Sequence, residues 1–488
     1  MYFQILNTFM KIENYMRSFC VFITLFFFGK TYSQTNTWTG ATDTDWHKAC
    51  NWSLSSIPTC AHNVVIPNVT NYPIVSNIAH CNQIDITSTD ADALTIQNAP
   101  ARLDVGLGGS CSGTPTDNGG CGPVNCPTPV WSQTVATYSA NDLAADAGGL
   151  YVVGETFFAT SNSQWRFEKR NLTTGAIIWQ QSSNPSNNRD ICLGIALDGT
   201  GVYGGGYEAA TLFDVRWRIE KRNLTTGAII WQQTENVGGS NSEMIYDLAI
   251  DGTGVYLVGY DANNGNQWRM QKRSLTTGGV LWTQTYNSSA GSEIGKGIAV
   301  DATGVYIVGT DNSLANQQWR IQKRNLTTGA LIWNVTSNPG AGLDDVKGID
   351  VDASGVYIAG YVFSGDTYWQ IEKRSLTTGA LIGAFGTGGV VTSNPSGGYD
   401  RADAVIVNGS DLYIGGLDEN APNRQWRMEK RNATTGALSC IAANNPSAAN
   451  SEGINNLTIS PAGNVYAAGY QTSITNGVWR VQQQCACP

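Results

Sequence analysis

One six-residue pattern, Trp-Arg-x-Glu/Gln-Lys-Arg with local variants, returns seven times after residue 129. Its Trp stands at Trp165, Trp217, Trp268, Trp319, Trp369, Trp426 and Trp479, so successive copies lie 52, 51, 51, 50, 57 and 53 residues apart by subtraction. A second pattern, Gly-Val-Tyr-x-x-Gly or a variant, places its Tyr at Tyr151, Tyr203, Tyr256, Tyr306, Tyr357, Tyr413 and Tyr466. A period near 50 residues makes each copy one supersecondary unit that buries its apolar surface against its neighbours. That restricts the fold to a propeller or a solenoid.

Each copy reads as four strands, in the second copy Ile191 to Leu197, Val202 to Tyr207, Trp217 to Arg222 and Ala228 to Gln233. Asp198-Gly199-Thr200-Gly201 and Asn223-Leu224-Thr225-Thr226-Gly227 supply the tight turns within the first and last pairs. Four antiparallel strands make one blade, and seven blades predict an all-β, closed seven-bladed propeller over 129–488, with an open solenoid as the alternative. The ends favour closure. The last copy stops one strand short, and Pro129-Val130-Trp131-Ser132-Gln133 matches Ile177-Ile178-Trp179-Gln180-Gln181, so the N-terminal strand completes the seventh blade. On that alignment Cys126 takes the turn position of Thr174, and Cys485 and Cys487 those of Asn171 and Thr173. A disulfide from Cys126 to Cys485 or Cys487 is therefore expected to replace the cut turn.

Lys11 and Arg17 precede an apolar run from Phe19 to Phe28, with Thr31 and Ser33 small enough for cleavage before Gln34, so residues 1–33 read as a secretory signal. The run is far shorter than the roughly 20 residues needed to span a bilayer. The expected location is secreted or at the cell surface. The net charge of −9 becomes −11 without this segment, because Lys11, Arg17 and Lys30 leave with Glu13. So acidic a chain is a poor partner for nucleic acid or anionic membranes. Loss of Cys20 leaves ten of the 11 cysteines, an even number that suits disulfides in an oxidising compartment.

The segment Thr174-Gly175-Ala176-Ile177-Ile178-Trp179, repeated at Thr226 to Trp231, Thr277 to Trp282 and Thr328 to Trp333, resembles the tryptophan-docking motif of quinoprotein-like propellers. Lys169 and Asn171 depart from that family's Ala and Asp. Seven blades differ from its eight, and its adjacent Cys-Cys pair is absent. Phe385-Gly386-Thr387-Gly388-Gly389-Val390-Val391 resembles the signature of delta-60-type repeats in secreted bacterial propellers. Ahead of the repeats, Thr37-Trp38-Thr39-Gly40, Asp45-Trp46, Asn51-Trp52 and Ile57-Pro58 are similar to a small β module at the start of many secreted Bacteroidota proteins. Segments Gln83 to Ile86 and Ala93 to Ile96 suit short stacked strands, which places this module at 34–107, followed by a Gly, Cys and Pro-rich linker over 108–128. The resemblance implies a surface-displayed protein, although the family's usual C-terminal sorting domain does not follow the last blade strand.

His47, His62 and His80 all precede the repeats, so a His-based triad or His-ligated metal in the propeller is excluded. His47 near Cys50 and His62 near Cys60 match no zinc spacing. Surface histidines and disulfides are expected instead, with Cys60 and Cys81 pairing to Cys50, Cys111 or Cys121. Within a blade, Arg218, Glu220 and Arg222 share one strand face. This arrangement suits inter-blade packing, or else a repeated sugar or phosphate site beside Trp217. Thirteen residues before the repeat Tyr stand Asp190, Glu243, Glu293, Asp344 and Asp400, with Glu452 displaced by one and Tyr138 in the first copy. These acids are expected either to ring the channel mouth and hold Ca²⁺, or to cap backbone N–H groups.

The leading functional expectation is a non-catalytic, monomeric binding or adhesion protein that uses the variable-loop face to bind a glycan or protein partner. Asn, Ser, Asp and Trp recurring over seven blades suit multivalent weak sugar binding, in which avidity compensates for poor single-site affinity. A protein partner predicts that the irregular fifth and sixth blades dominate, where Gly383 and Cys440 replace the outer Trp. The competing class is an enzyme, either quinoprotein-like or carboxylate-dependent, but the repeated acids offer no unique acid and base pair.

Overall fold

The computed structural model describes residues 34–105, 124–125 and 129–484, apart from 41–43, 48–50, 54–56, 59–61, 77, 82, 90–92, 98–101, 136–137, 160–161, 212, 238–241, 289–290, 313–315, 420–422, 446–450 and 473–476. The leader read over 1–33 and the predicted bridge from Cys126 to Cys485 or Cys487 lie outside the described residues. The chain divides into two compact units, the second beginning at Pro123.

The second unit is a seven-bladed propeller of antiparallel four-stranded blades. In blade 2 the strands are Ile191–Asp198, innermost, then Gly201–Ala209, Val215–Arg222 and Ile229–Glu235 at the rim. Blade 7 takes Glu452–Ile459, Val465–Thr472 and Gly477–Gln483 from the C-terminal end and Trp131–Val135 from the N-terminal end. The closing pair is antiparallel, with Trp479 opposite Val135 and Gln483 opposite Trp131. Val124–Asn125 adds a parallel fifth strand outside blade 6, alongside Cys440 and Ile441. The propeller chain thus begins before the 129 boundary read from the repeat.

The core lies between blades. Tyr203, Trp217 and Ile219 of blade 2 pack on Ile245, Leu248, Val255 and Leu257 of blade 3. Each inner Trp is an apolar slab with one donor, and the donor needs a partner when buried. Trp165 Nε1 donates to Tyr207 O at 2.9 Å and Trp217 Nε1 to Tyr260 O at 3.0 Å, each in the next blade. Trp479 Nε1 donates to Glu155 O of blade 1 at 2.8 Å, so the ring closes through the contact that Trp165, Trp217, Trp268, Trp369 and Trp426 also make.

The Arg-Glu-Arg face is packing machinery. Glu220, fully buried, holds Arg218 at 2.7 Å and Arg222 at 2.6 Å, and accepts Ser183 Oγ of blade 1 at 2.6 Å. Arg218 lies over the Trp165 ring of blade 1, 5.8 Å from its centroid. Arg222 Nη1 ties the strand to its own turn through Gly227 O at 2.9 Å. At the rim, Trp179 donates to Leu224 O and covers Gly227, whose φ of +70° leaves no room for a Cβ against that ring. Trp131 covers Gly175 in the same way, closing the ring a second time. Blade 5 lacks the outer Trp, and buried Phe385 fills the gap edge-on to Tyr357 at 6.2 Å. At that register in blade 6, Cys440 is disulfide-bonded.

The first unit stacks short parallel strands. Gln34–Thr37 pairs with His62–Ile66, which pairs with Gln83–Ile86, while Ile74–Val75 pairs with Thr95–Ile96 and Ile78–Cys81 with Arg102–Val105. Its core gathers Ile57, Val64, Ile66 and Val75 around three indoles, with Trp52 edge-on to Trp38 at 4.9 Å and to Trp46 at 4.6 Å. Cys81 is a free buried thiol here, as is Cys192 in the propeller, so the expected pairing of Cys81 does not form. An apolar environment suits both sulfurs as small hydrophobes.

Candidate functional site

Every innermost strand carries a β-bulge at one register. It falls between Ala140 and Asp142, Cys192 and Gly194, Ile245 and Asp247, Gly295 and Gly297, Val346 and Gly348, Ala402 and Ala404, and Ile454 and Asn456. A bulge gives one strand an extra residue and re-aims its side chain. The seven extra residues are Asn141, Leu193, Tyr246, Lys296, Lys347, Asp403 and Asn455, and all seven line one cavity of about 270 Å³. Asp345, Val346, Tyr361, Arg401 and Ala402 complete its wall, so blades 5 and 6 supply seven of the twelve lining residues. The bulges sit near the strand starts, which places the cavity on the variable-loop face.

The bulge has a sequence cause. The last Gly of Gly-Val-Tyr-x-x-Gly lies in the neighbouring strand, where the bulge drives a carbonyl toward it. A Cβ at Gly206 would stand 2.0 Å from Ile191 O, at Gly259 1.8 Å from Met244 O, and at Gly416 2.0 Å from Arg401 O. No other residue type fits there.

The cavity is rich in charge, and four of its five charged groups are paired. Lys296 Nζ meets both oxygens of Asp345 at 2.6 and 2.7 Å, and Arg401 Nε meets Asp403 at 2.7 Å. Lys347 Nζ donates to Asn455 O at 2.9 Å and lies in the field of Asp142 and Asp247. Those two carboxylates join adjacent inner strands. Asp142 accepts Leu143 N at 2.8 Å and Ile195 N of the next blade at 2.7 Å, and Asp247 accepts Leu248 N at 2.7 Å and Ile298 N of the next at 3.0 Å. Burial pushes both acids up, and the charge of Asp142 adds to the rise at Asp247, against the N–H donors and Lys347. Asp350 makes the same bridge from blade 5 to Val407 N of blade 6, and burial pushes it up to about 6. Tyr246 packs on Tyr260, and Tyr361 on Tyr399, giving two aromatic flanks.

The six predicted acids sit elsewhere. Asp190, Glu243, Glu293, Asp344, Asp400 and Glu452 are all fully buried, and none lines the cavity. Asp190 accepts Ser186 N at 3.0 Å and Ala209 N at 3.0 Å; Asp344 accepts Gly340 N at 2.9 Å and Phe363 N at 3.1 Å. Asp400 repeats this with Ser396 N and Glu419 N, while Glu243 accepts Val237 N and Glu293 accepts Ser288 N. These five staple the loops that enter blades 2 to 6, which is the capping alternative. Among the described residues no group of three or more His, Cys, Asp or Glu is placed to hold a metal ion. The acids recur in blades 2 to 6 because those entry loops share one anchor. The cavity residues differ from blade to blade, and the signal that marks them is the crowded Gly of the second repeat pattern.

Residues 37–105 match the profile of a domain of unknown function (DUF8693). No curated protein matches the sequence. Among solved structures, the chain is similar to quinohemoprotein alcohol dehydrogenase from Comamonas testosteroni, at 10% identity and a TM-score of 0.39 over 74% of this chain and 77% of that one. It is also similar to Sqt1 from Chaetomium thermophilum, at 11% identity and a TM-score of 0.41 over 73% of this chain and 99% of that one. A europium-containing methanol dehydrogenase gives 11% identity and a TM-score of 0.40 over 71% and 86%. The propeller assignment rests on this chain's own strand pairing.

Proposed function

We propose that this chain is a non-catalytic binding protein of the cell exterior that takes a glycan at the mouth of its central channel, one site per molecule. The observation that carries the reading is the contrast between frame and site. Packing residues recur blade after blade, whereas the seven bulge residues are Asn, Leu, Tyr, Lys, Lys, Asp and Asn. A ring of near-identical units that differs where it faces one cavity is a scaffold carrying a single asymmetric site. Seven equivalent sugar sites do not follow from it. A concave cavity with tyrosines, apolar patches and convergent polar groups suits a small ligand unit better than a flat partner surface. The weight of blades 5 and 6 in the lining is the one feature that favours a protein partner.

The test is a broad glycan array probed with residues 34–488, with calcium and again with chelator. Binding that is equal in both conditions and lost in Tyr361→Ala is expected. Calcium dependence would restore a cation role for the buried acids, and silence in both runs would turn the assignment toward a protein partner.

A further inference from the structure

We infer that the unit seated in the mouth is a single uncharged sugar ring, an inference that rests on the glycan reading above. Two of the three cations that line the cavity, and both of its carboxylates, are already paired with each other. Lys296 is bound by Asp345 through both carboxylate oxygens and Arg401 by Asp403, while Lys347 is held by Asn455 O at 2.9 Å. A cationic ligand would lose its hydration on entry and find no unpaired carboxylate in the wall, and an anionic one would meet only Lys347, already bound to Asn455 O, so charge is costly to bring into a partly buried site.

A hydroxyl meets the same groups without that cost, because it both donates and accepts. Paired ions keep unused hydrogen-bonding capacity. The Lys296 ammonium has three donors, the Arg401 guanidinium five, and each carboxylate about four acceptor positions. A sugar hydroxyl can bridge an ammonium and a carboxylate and leave the pair intact. Tyr246 from blade 3 and Tyr361 from blade 5, with Leu193 and Val346, give the less polar surface a ring's C–H face needs. The volume of about 270 Å³ falls at the small end of ligand cavities and suits one seated ring.

Matched sets test this: the methyl glycosides of glucose, galactose and mannose, the corresponding uronic acids, and the 2-amino sugars, each titrated calorimetrically into the mature chain. At least one neutral glycoside is expected to bind, with its uronate and amine analogues at least tenfold weaker and with less than twofold change between 50 and 500 mM NaCl. Asp345→Asn, which leaves Lys296 unpaired at a partly exposed site, should shift preference toward the uronate by tenfold or more. Lys296→Met should shift it toward the amine. Both variants change the rim rather than the packed core, and their thermal midpoints serve as the folding control. A uronate or amine that outcompetes every neutral sugar in the unmodified chain overturns the inference and leaves the glycan reading standing. Folded variants with unchanged preference also overturn it. If no sugar on this panel or on the array binds, both fall together.

Discussion

At residue scale the same kind of side chain does different work according to what it faces. The loop acids were legible as a recurring feature, yet recurrence pointed to a shared structural need rather than to a shared ligand. Asp344→Asn should therefore lower stability by about 1–2 kcal/mol through the weakened loop staple to Gly340 and Phe363. Thermal melts with calcium and with chelator should give the same loss. Asp350 behaves differently. Its pKa, raised to about 6 by burial, means that the folded chain holds the proton more tightly than the unfolded chain does. Its ionisation therefore costs stability, and the cost is absent at low pH and complete once pH has risen through the folded value. The stability of the unmodified chain relative to Asp350→Asn should fall by up to about 3 kcal/mol between pH 4 and pH 7, read from urea unfolding at each pH. A flat difference would mean that Asp350 gains enough hydration or charge compensation to ionise normally.

At element scale the blade was readable because its determinants are local and repeat: two turn sequences, one Trp, one Tyr and a Gly. The bulge was not, since one extra residue present in all seven copies leaves their spacing unchanged, and only the close approach to Gly206 and its equivalents reveals it. The pairing of Cys81 was misjudged for a related reason, because an even cysteine count says nothing about which sulfurs sit in apolar cores. Gly360→Ala places a Cβ 2.3 Å from Asp345 O, so the blade 5 bulge must flatten or shift. That change should cost about 1–3 kcal/mol and weaken ligand binding by more than tenfold, because Lys347 is the displaced residue. Glu220→Leu tests the Arg-Glu-Arg clamp. It strands Arg222 without its buried counter-charge, leaves Arg218 with Glu208 alone, and should cost about 3–5 kcal/mol, measured by denaturant unfolding.

At the scale of the whole molecule, stability depends on closure, because each blade's core is shared with two neighbours and an open ring would expose two of those surfaces. Three of the contacts that close this ring lie at different radii: Trp479 to Glu155 O, Trp131 over Gly175, and the strand Trp131–Val135 paired on Gly477–Gln483. Two of the three belong to one short N-terminal segment, so a chain beginning at Tyr138 loses far more than the hydrogen bonds of a single strand. It leaves Gly477–Gln483 as a bare edge and uncovers the outer side of the blade 7 core. The expected outcome is loss of the single cooperative melting transition, with dimers or larger species formed by edge pairing, seen by calorimetry and size-exclusion chromatography. A synthetic peptide of residues 129–135 added in trans should restore the monomer and the sharp transition, since the groove it fills is otherwise complete. If the truncated chain stays monomeric and melts as before, closure contributes little, and the propeller is held by each blade separately.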